Sequence, residues 1–553
     1  MAQAVREATS HTNPRANKPD DVPRYTKQPK SRQPSGFREK ILRTPLPYYS
    51  GPYSVGMMYI EVPVREPRHF SDTMRNKKHL LELETVLFSV FYPSGFGSGQ
   101  GTSPEGMKKW SRPTWLPRPR IEVAKGYGKF AGLPTLVIAG WFGVSYYCTK
   151  LPAFCNATIA EYWPPDESSR EVGYKTKNRA GTPPPDEPKK PCFPTTYSSV
   201  RGEFASYGFV VVSLEHREGS GPRTFMNMTE KGAGLHNGKL DLSDEARSKG
   251  YSKMDSVFPK HNNHDTMPGN KQGVDAELRS TQIQLRLAEI EDRRGLSFLR
   301  HKDRFEYIGQ GIIYDIWEAA IQPPENEPRH RIDTPLLAIN SEAFMFWPDN
   351  LESVMSLCHE AKDYDALVWL MTVRGSVYIS QSDFSLLYPR IASLLLKMTV
   401  NPRRAIDLNI KASLEFLKKV MPARISAMNR GTDEHLLDVR ILDKLPTEYR
   451  LDAKWTAMCL RIPHELRIRL RPQWVRRHER RKRRTSVTKH LPQDSQGNVL
   501  EGLEDLELGE EIWMHVAPTK DELDRHGRLK AGKELENHQT LEDLVRDKVY
   551  VQN

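Results

Sequence analysis

Cysteine is scarce in this chain of 553 residues: there are five, at positions 148, 155, 192, 358 and 459, without metal-ligand spacing. That excludes a disulfide-stapled mini-protein, gives no zinc pattern, and fits a reducing compartment. No metal or cofactor is expected from these residues. No run reaches the roughly 18 apolar residues of a membrane-spanning helix. The N-terminus lacks the apolar stretch of a secretory signal. The expected address is therefore cytoplasmic or membrane-peripheral. Hydrophobic residues make up only 38% of the chain and prolines number 41, which points to long loops and tails around an ordinary core.

Positive charge is abundant, but it is not evenly spread. The chain carries +12 overall. Residues 1–40 contribute +5 and residues 467–484 contribute +9, so the rest of the chain sums to about −2. Basicity belongs to two segments and says little about what the body binds.

Patterning divides the chain into three parts. Residues 1–45 are polar, proline-rich and aperiodic, and read as a disordered basic arm. Residues 46–425 alternate strand and helix signals. MMYIEVPV (57–64), LETVLFSVFYP (83–93), LPTLVIAGW (133–141), FVVVSLEHR (209–217), IGQGIIYDIW, TPLLAINS and ALVWLMTVR read as strands. TYSSVRGEFASYG (196–208), 273–292, 350–362 and 403–420 read as helices, and 156–195 as a loop insertion. Such alternation implies an α/β fold with a mostly parallel sheet covered by helices on both faces. Residues 426–553 are charged and poor in strand signal, and read as a helical or disordered extension.

In α/β folds the reactive groups sit in loops at the carboxyl ends of strands. Three such loops stand out here: after SLEHR, after GIIYD and after TVRG. Asp315 ends an apolar strand beside Trp317 and could orient a base, although a strand-end or helix-cap carboxylate is the commoner reading of such a residue alone. His216 follows a strand and reads as a loop histidine held by neighbouring charges.

Taken together, ASYGFVVVSLEHREGSGPRTF, QGIIYDIW, PLLAINSEAF, TVRGSVYISQSDF and NPRRAIDLNIKASLEFL resemble the platelet-activating factor acetylhydrolase family, in particular its fungal-type members. The resemblance spans roughly 50–425. It implies an α/β-hydrolase fold and hydrolysis of the short sn-2 acyl ester of a phospholipid, with a serine nucleophile in a G-H-S-x-G elbow followed by Asp and His. Asp315 matches the family's triad acid. The family's R-G-S-V-H motif reads Arg374-Gly375-Ser376-Val377-Tyr378 here, so a tyrosine occupies the base position. Phenols ionise near pH 10 and do not accept a serine proton at neutral pH as imidazole does.

The nucleophile has no counterpart. No G-x-S-x-G occurs in the sequence. Where the family's strand and serine elbow would follow helix 273–292, residues 293–305 run almost directly into EYIGQGIIYD. Where its H-G-x-G-G oxyanion loop would precede the T-Y-S-S helix, Pro194 joins straight to Thr195. The resemblance thus implies an incomplete sheet and impaired catalysis, through segments dropped in splicing, decay of the gene, or both. Ser297 lacks flanking glycines, Ser145 follows an expected strand, and Ser220 and Ser376 read as turn residues. The nucleophile stays unassigned.

The expected partner is a phospholipid substrate or membrane surface. Arg476, Arg477, Arg480, Arg481, Lys482, Arg483 and Arg484 could contact anionic lipid, or form a solvated charged segment. Trp474 is the sole aromatic nearby, so no specific nucleic-acid recognition is expected. A non-catalytic binding protein acting through this run is the alternative to a hydrolase.

Overall fold

Two long runs of β-branched and aromatic residues build the first sheet. The structure is a computed structural model describing 46–94, 112–160, 196–227, 251–257, 275–291, 309–316, 332–422, 434–442 and 511–529, apart from short gaps within these ranges. The N-terminal arm, most of the 156–195 insertion, residues 292–308 and the basic run lie outside the described residues. Strand β1 (Ser54–His69) is followed by the two-residue strands β2 (Met74–Arg75) and β3 (Lys78–His79) and by β4 (Glu82–Ser94). β1 and β4 pair antiparallel from Ser54↔Ser94 to His69↔Glu82. The ladder shifts register between Pro63 and Arg68, as expected where proline has no N–H to donate. Alternation divides the side chains between two faces. Val55, Met57, Leu87 and Phe91 enter one core cluster, and Val64, Val86 and Phe88 another.

Two further strands complete this sheet in the order β5-β1-β4-β6. β5 (Phe154–Cys155) runs parallel to β1, and β6 (Val211–Leu214) antiparallel to β4. A separate hairpin, β7 (Thr224–Asn227) and β8 (Tyr251–Met254), follows. The second sheet joins β9 (Gly311–Tyr314), β10 (Leu336–Ser341) and β11 (Val368–Val373) in parallel, with β12 (Ile512–Val516) antiparallel on β11. The chain is therefore mixed α/β. Among the described residues the mostly parallel sheet expected is seen only as the β9–β11 block, and the first four-stranded sheet is mainly antiparallel. Among the described residues, β6 and β9 each have a paired neighbour on one side only. Their residues are correspondingly half-exposed, Val212 at 39%, whereas β10 and β11 are buried throughout. The FVVVSLEHR run is a strand, but not the buried one expected.

The helices are α1 (Arg120–Phe130), α2 (Thr135–Tyr146), α3 (Ser198–Ser206), α4 (Ala276–Glu291), α5 (Glu342–Met345), α6 (Pro348–Asp363), α7 (Asp383–Leu387) and α8 (Pro402–Val420). Helix α2 corrects the reading of LPTLVIAGW as a strand. An apolar run without polar punctuation fits either element, but Ile138, Phe142 and Tyr146 recur every fourth residue and are the buried ones. The extension also departs from expectation. IWMHV forms β12 within it, Ile512 and Met514 enter the second-sheet core, and a helix follows at 520–529. The heavily charged flanks hide this five-residue run from composition.

The segment before β1 docks on α3. Gly51 N–H donates to the Ser206 hydroxyl at 3.0 Å, and Tyr53 N–H donates to the Ser206 carbonyl at 3.0 Å. A Cβ on Gly51 would run into that carbonyl oxygen, whereas one on Gly140 of α2 meets nothing within 4 Å. Gly51→Ala should lower the melting temperature through overpacking worth about 1–3 kcal/mol. Gly140→Ala should leave it equal or slightly higher, because the helix interior prefers alanine. Thermal melts of the two variants check this contrast.

Candidate active site

The loops that leave β9, β10 and β11 at their carboxyl ends are tied to one another. Asp315 follows β9 directly, with φ 45°, in the left-handed region that aspartate tolerates better than most residues. Its N–H donates to the Ile339 carbonyl at 3.0 Å, and its Oδ1 accepts the N–H of Ser341 at the end of β10. The side chain is buried, and Oδ2 has no hydrogen-bond partner among the described residues. Burial pushes the carboxyl up to about 7, against the lowering effect of Ser341. Trp317 lies outside the described residues.

The loop after β11 is equally fixed. Gly375, with φ 71°, donates its N–H to Glu342 in α5, and the Ser376 hydroxyl donates to the Val373 carbonyl at 2.6 Å. These bonds deliver Tyr378 to the start of a 3-10 turn, Tyr378–Gln381. Its ring stacks on Phe344 at 5.8 Å. Its hydroxyl accepts a hydrogen bond from the Tyr197 hydroxyl at 3.1 Å. Burial raises the Tyr197 phenol well above its ordinary range, with Tyr378 and the Asp315 charge adding to the effect. Tyr197 is thus bonded to Tyr378 and feels the Asp315 charge.

A second buried carboxylate anchors this arrangement. Asp383 accepts Trp115 Nε1–H at 2.9 Å, the N–H groups of Ser198 and Ser199 at 3.0 and 2.9 Å, and the Ser198 hydroxyl. It thereby caps the first turn of α3 and ties the loop carrying Tyr378 to the helix preceded by Tyr197. Burial raises its pKa, opposed by the four donors. Sequence reasoning did not single out Tyr197 or Asp383. Both lay in quoted segments, TYSSVRGEFASYG and SVYISQSDF, but only the fold shows their contacts.

The remaining candidates stand elsewhere or are engaged. His216 Nδ1 lies 2.6 Å from Glu289 Oε2 on α4, matching its reading as a histidine held by charges. The Ser220 hydroxyl donates to Glu218, which also pairs with Arg286. The backbone of Ser145 is in helix α2, not after a strand. Ser297 and the arginine-rich run at 476–484 lie outside the described residues. Among the described residues, nothing brings a serine and an imidazole to Asp315.

The family model described as "Platelet-activating factor acetylhydrolase, isoform II" matches residues 191–303 and 295–429. Over residues 191–429 the chain matches the platelet-activating factor acetylhydrolase family. It is 28% identical over 274 residues to the platelet-activating factor acetylhydrolase of Canis lupus familiaris, covering 44% of this chain and 59% of that protein. Its likeness to the Bos taurus protein of the same name is 28% over 331 residues, or 55% of this chain and 67% of that one. With the Gallus gallus protein it shares 24% over 258 residues, covering 41% and 59%. The chain thus spans about three fifths to two thirds of these relatives' length.

The raised Asp315 carboxyl makes the stability of the fold depend on pH. An unfolded aspartate ionises near pH 3.9, whereas the folded carboxyl ionises near 7. The folded state therefore holds its proton more tightly. The resulting stability is complete below pH 4 and is lost as pH rises through 7. Glu203, also pushed up to about 7 by burial, acts in the same direction. Asp315→Asn, which stays neutral, should flatten the fall in melting temperature between pH 5 and 8, a fall that one such carboxyl steepens by at most about 1.4 kcal/mol per pH unit. An unchanged slope would contradict the assignment.

Proposed function

We propose that this chain carries the framework of a phospholipase that hydrolyses short sn-2 acyl esters, with Asp315 at the triad-acid position, and that it is catalytically impaired. One observation carries the reading: the buried Asp315 Oδ2 has no donor among the described residues, while the phenol at the base position is engaged by Tyr197. In a working triad an imidazole N–H would donate to that oxygen. The ring's other nitrogen would take the serine proton as the hydroxyl attacks the ester carbonyl, and backbone N–H groups would hold the oxyanion. A neutral phenol cannot perform that proton transfer. The half-exposed edges of β6 and β9 support the loss of two strands between them, the ones that would carry the oxyanion loop and serine elbow. The break of the family match at 295–303 supports the same reading.

A lipid-facing surface fits the family's substrate. Helix α2 contains no charged residue, and Leu136 (75% exposed), Val137 and Trp141 are exposed on it, as is Leu133 just before it. An apolar helix of this kind, bearing an exposed tryptophan, suits the boundary of a phospholipid surface. No helix among the described residues is long and apolar enough to cross a membrane. A binding role that outlives catalysis is the second reading, and this exposed face favours it.

Purified full-length protein should release no acetate from a 1-alkyl-2-acetyl phospholipid or from p-nitrophenyl acetate above buffer. Tyr378→His should not restore release, because no nucleophile is supplied. Acetate release that Asp315→Asn abolishes would overturn the impairment.

Co-sedimentation with phospholipid vesicles tests the surface. Leu136→Glu with Val137→Glu should weaken binding at least tenfold, since each apolar side chain buried is worth about 1.5–3 kcal/mol. Equal binding by this variant would exclude the α2 face. Neutralising the basic residues of 476–484 tests their contribution separately.

A further inference from the structure

We infer that His69, Asp72 and His79 form a site for a divalent transition-metal ion of the zinc type at the far end of the β1–β4 hairpin. One ligand atom from each of the three lies within 4.8 Å of the others. The backbone brings them together. Phe70 N–H donates to the Leu81 carbonyl at 2.8 Å, and the next paired positions are Met74↔His79. Three residues on one arm thus stand against one on the other, and this excess holds Asp72 beside both imidazoles. The two rings stack nearly parallel, with centroids 3.9 Å apart.

The proton positions favour metal binding over a simple hydrogen-bonded cluster. His79 Nδ1 lies 3.0 Å from the Ser71 carbonyl oxygen, which has no proton to give. Nδ1 therefore carries the hydrogen, and in the neutral ring the Nε2 lone pair is left for a ligand. A backbone carbonyl that fixes the tautomer in this way is the usual outer partner of a metal-binding histidine. His69 Nε2 and Asp72 Oδ1 stand 3.9 Å apart, too far for a hydrogen bond. Zinc bonds of 2.0–2.1 Å in a tetrahedral site separate ligand atoms by about 3.3 Å, so a small movement of exposed side chains would close the site around an ion. Two imidazoles and one carboxylate are a donor set suited to zinc, with the fourth position left to water. The ion would clip the end of β1 to the β2–β3 arm, a role independent of ester hydrolysis.

The full chain should bind one Co²⁺ at this site with visible absorption of a tetrahedral nitrogen–oxygen complex, and Zn²⁺ should displace it. Zn²⁺ titration by calorimetry should show an affinity at least tenfold weaker in His69→Gln and in His79→Gln, and an intermediate loss in Asp72→Asn. His435→Ala, which removes the exposed partner of Asp438 in another part of the fold, should bind as the parent does. His69 and Asp72 are exposed, so metal-free melts of His69→Gln and Asp72→Asn should match the parent. Binding unchanged in both histidine variants, or the absence of a Co²⁺ spectrum in the parent, would overturn the site.

Discussion

Helix α8 lies between two cores that share no strand, and the rest of the fold depends on its packing. Ile406, Ile410 and Leu414 face the first-sheet core, while Leu408, Ala412 and Phe416 face the second. The two series are offset by two residues, about 200° around a helix of 3.6 residues per turn. A helix apolar on opposite faces is suited to burial between layers. Asn401 accepts Arg403 N–H at 3.0 Å and Pro402 occupies the first turn, so the start of the helix is defined. Lys411, buried along its length, pairs with Glu434, and the Ser413 hydroxyl lies 2.7 Å from that of Tyr314 in β9. In this way the helix also holds the open edge of the second sheet.

Two buried aspartates show how identical chemistry serves different ends. Asp383 is surrounded by donors and behaves as a structural cap, joining Trp115, α3 and the loop from β11. Asp315 has one oxygen satisfied by Ser341 and the other unpartnered among the described residues, at a backbone position with positive φ. Buried polar atoms are normally paired, so the unmatched oxygen marks where a partner belongs. The tyrosine at the family's base position bonds elsewhere.

Much of the architecture is legible from pattern. β1, β4, β10, β11, α3, α4, α6 and α8 fall where periodicity and end signals put them. Failures come where one local signal fits two structures. The LVIAGWF run reads as a strand by composition, but it folds as a helix because Ile138, Phe142 and Tyr146 find a core at helical spacing. Strand β12 escapes a local reading because its partner, β11, is about 140 residues away in sequence. His216 is legible as a loop histidine, but its partner Glu289 lies on a helix distant in sequence and is not. His69, Asp72 and His79 carry no spacing signal, because only a hairpin irregularity brings them together.

By itself the sequence determined the family resemblance, the confinement of positive charge to two segments, and the tyrosine in the R-G-S-V motif. Each of these is a property of residue identity and order. Tertiary structure alone decided that, among the described residues, β6 and β9 pair on one side only. It also decided that one Asp315 oxygen has no partner among the described residues and that Tyr378 is bound by Tyr197. Those outcomes depend on which distant groups arrive at hydrogen-bond distance after burial, and no local pattern encodes that.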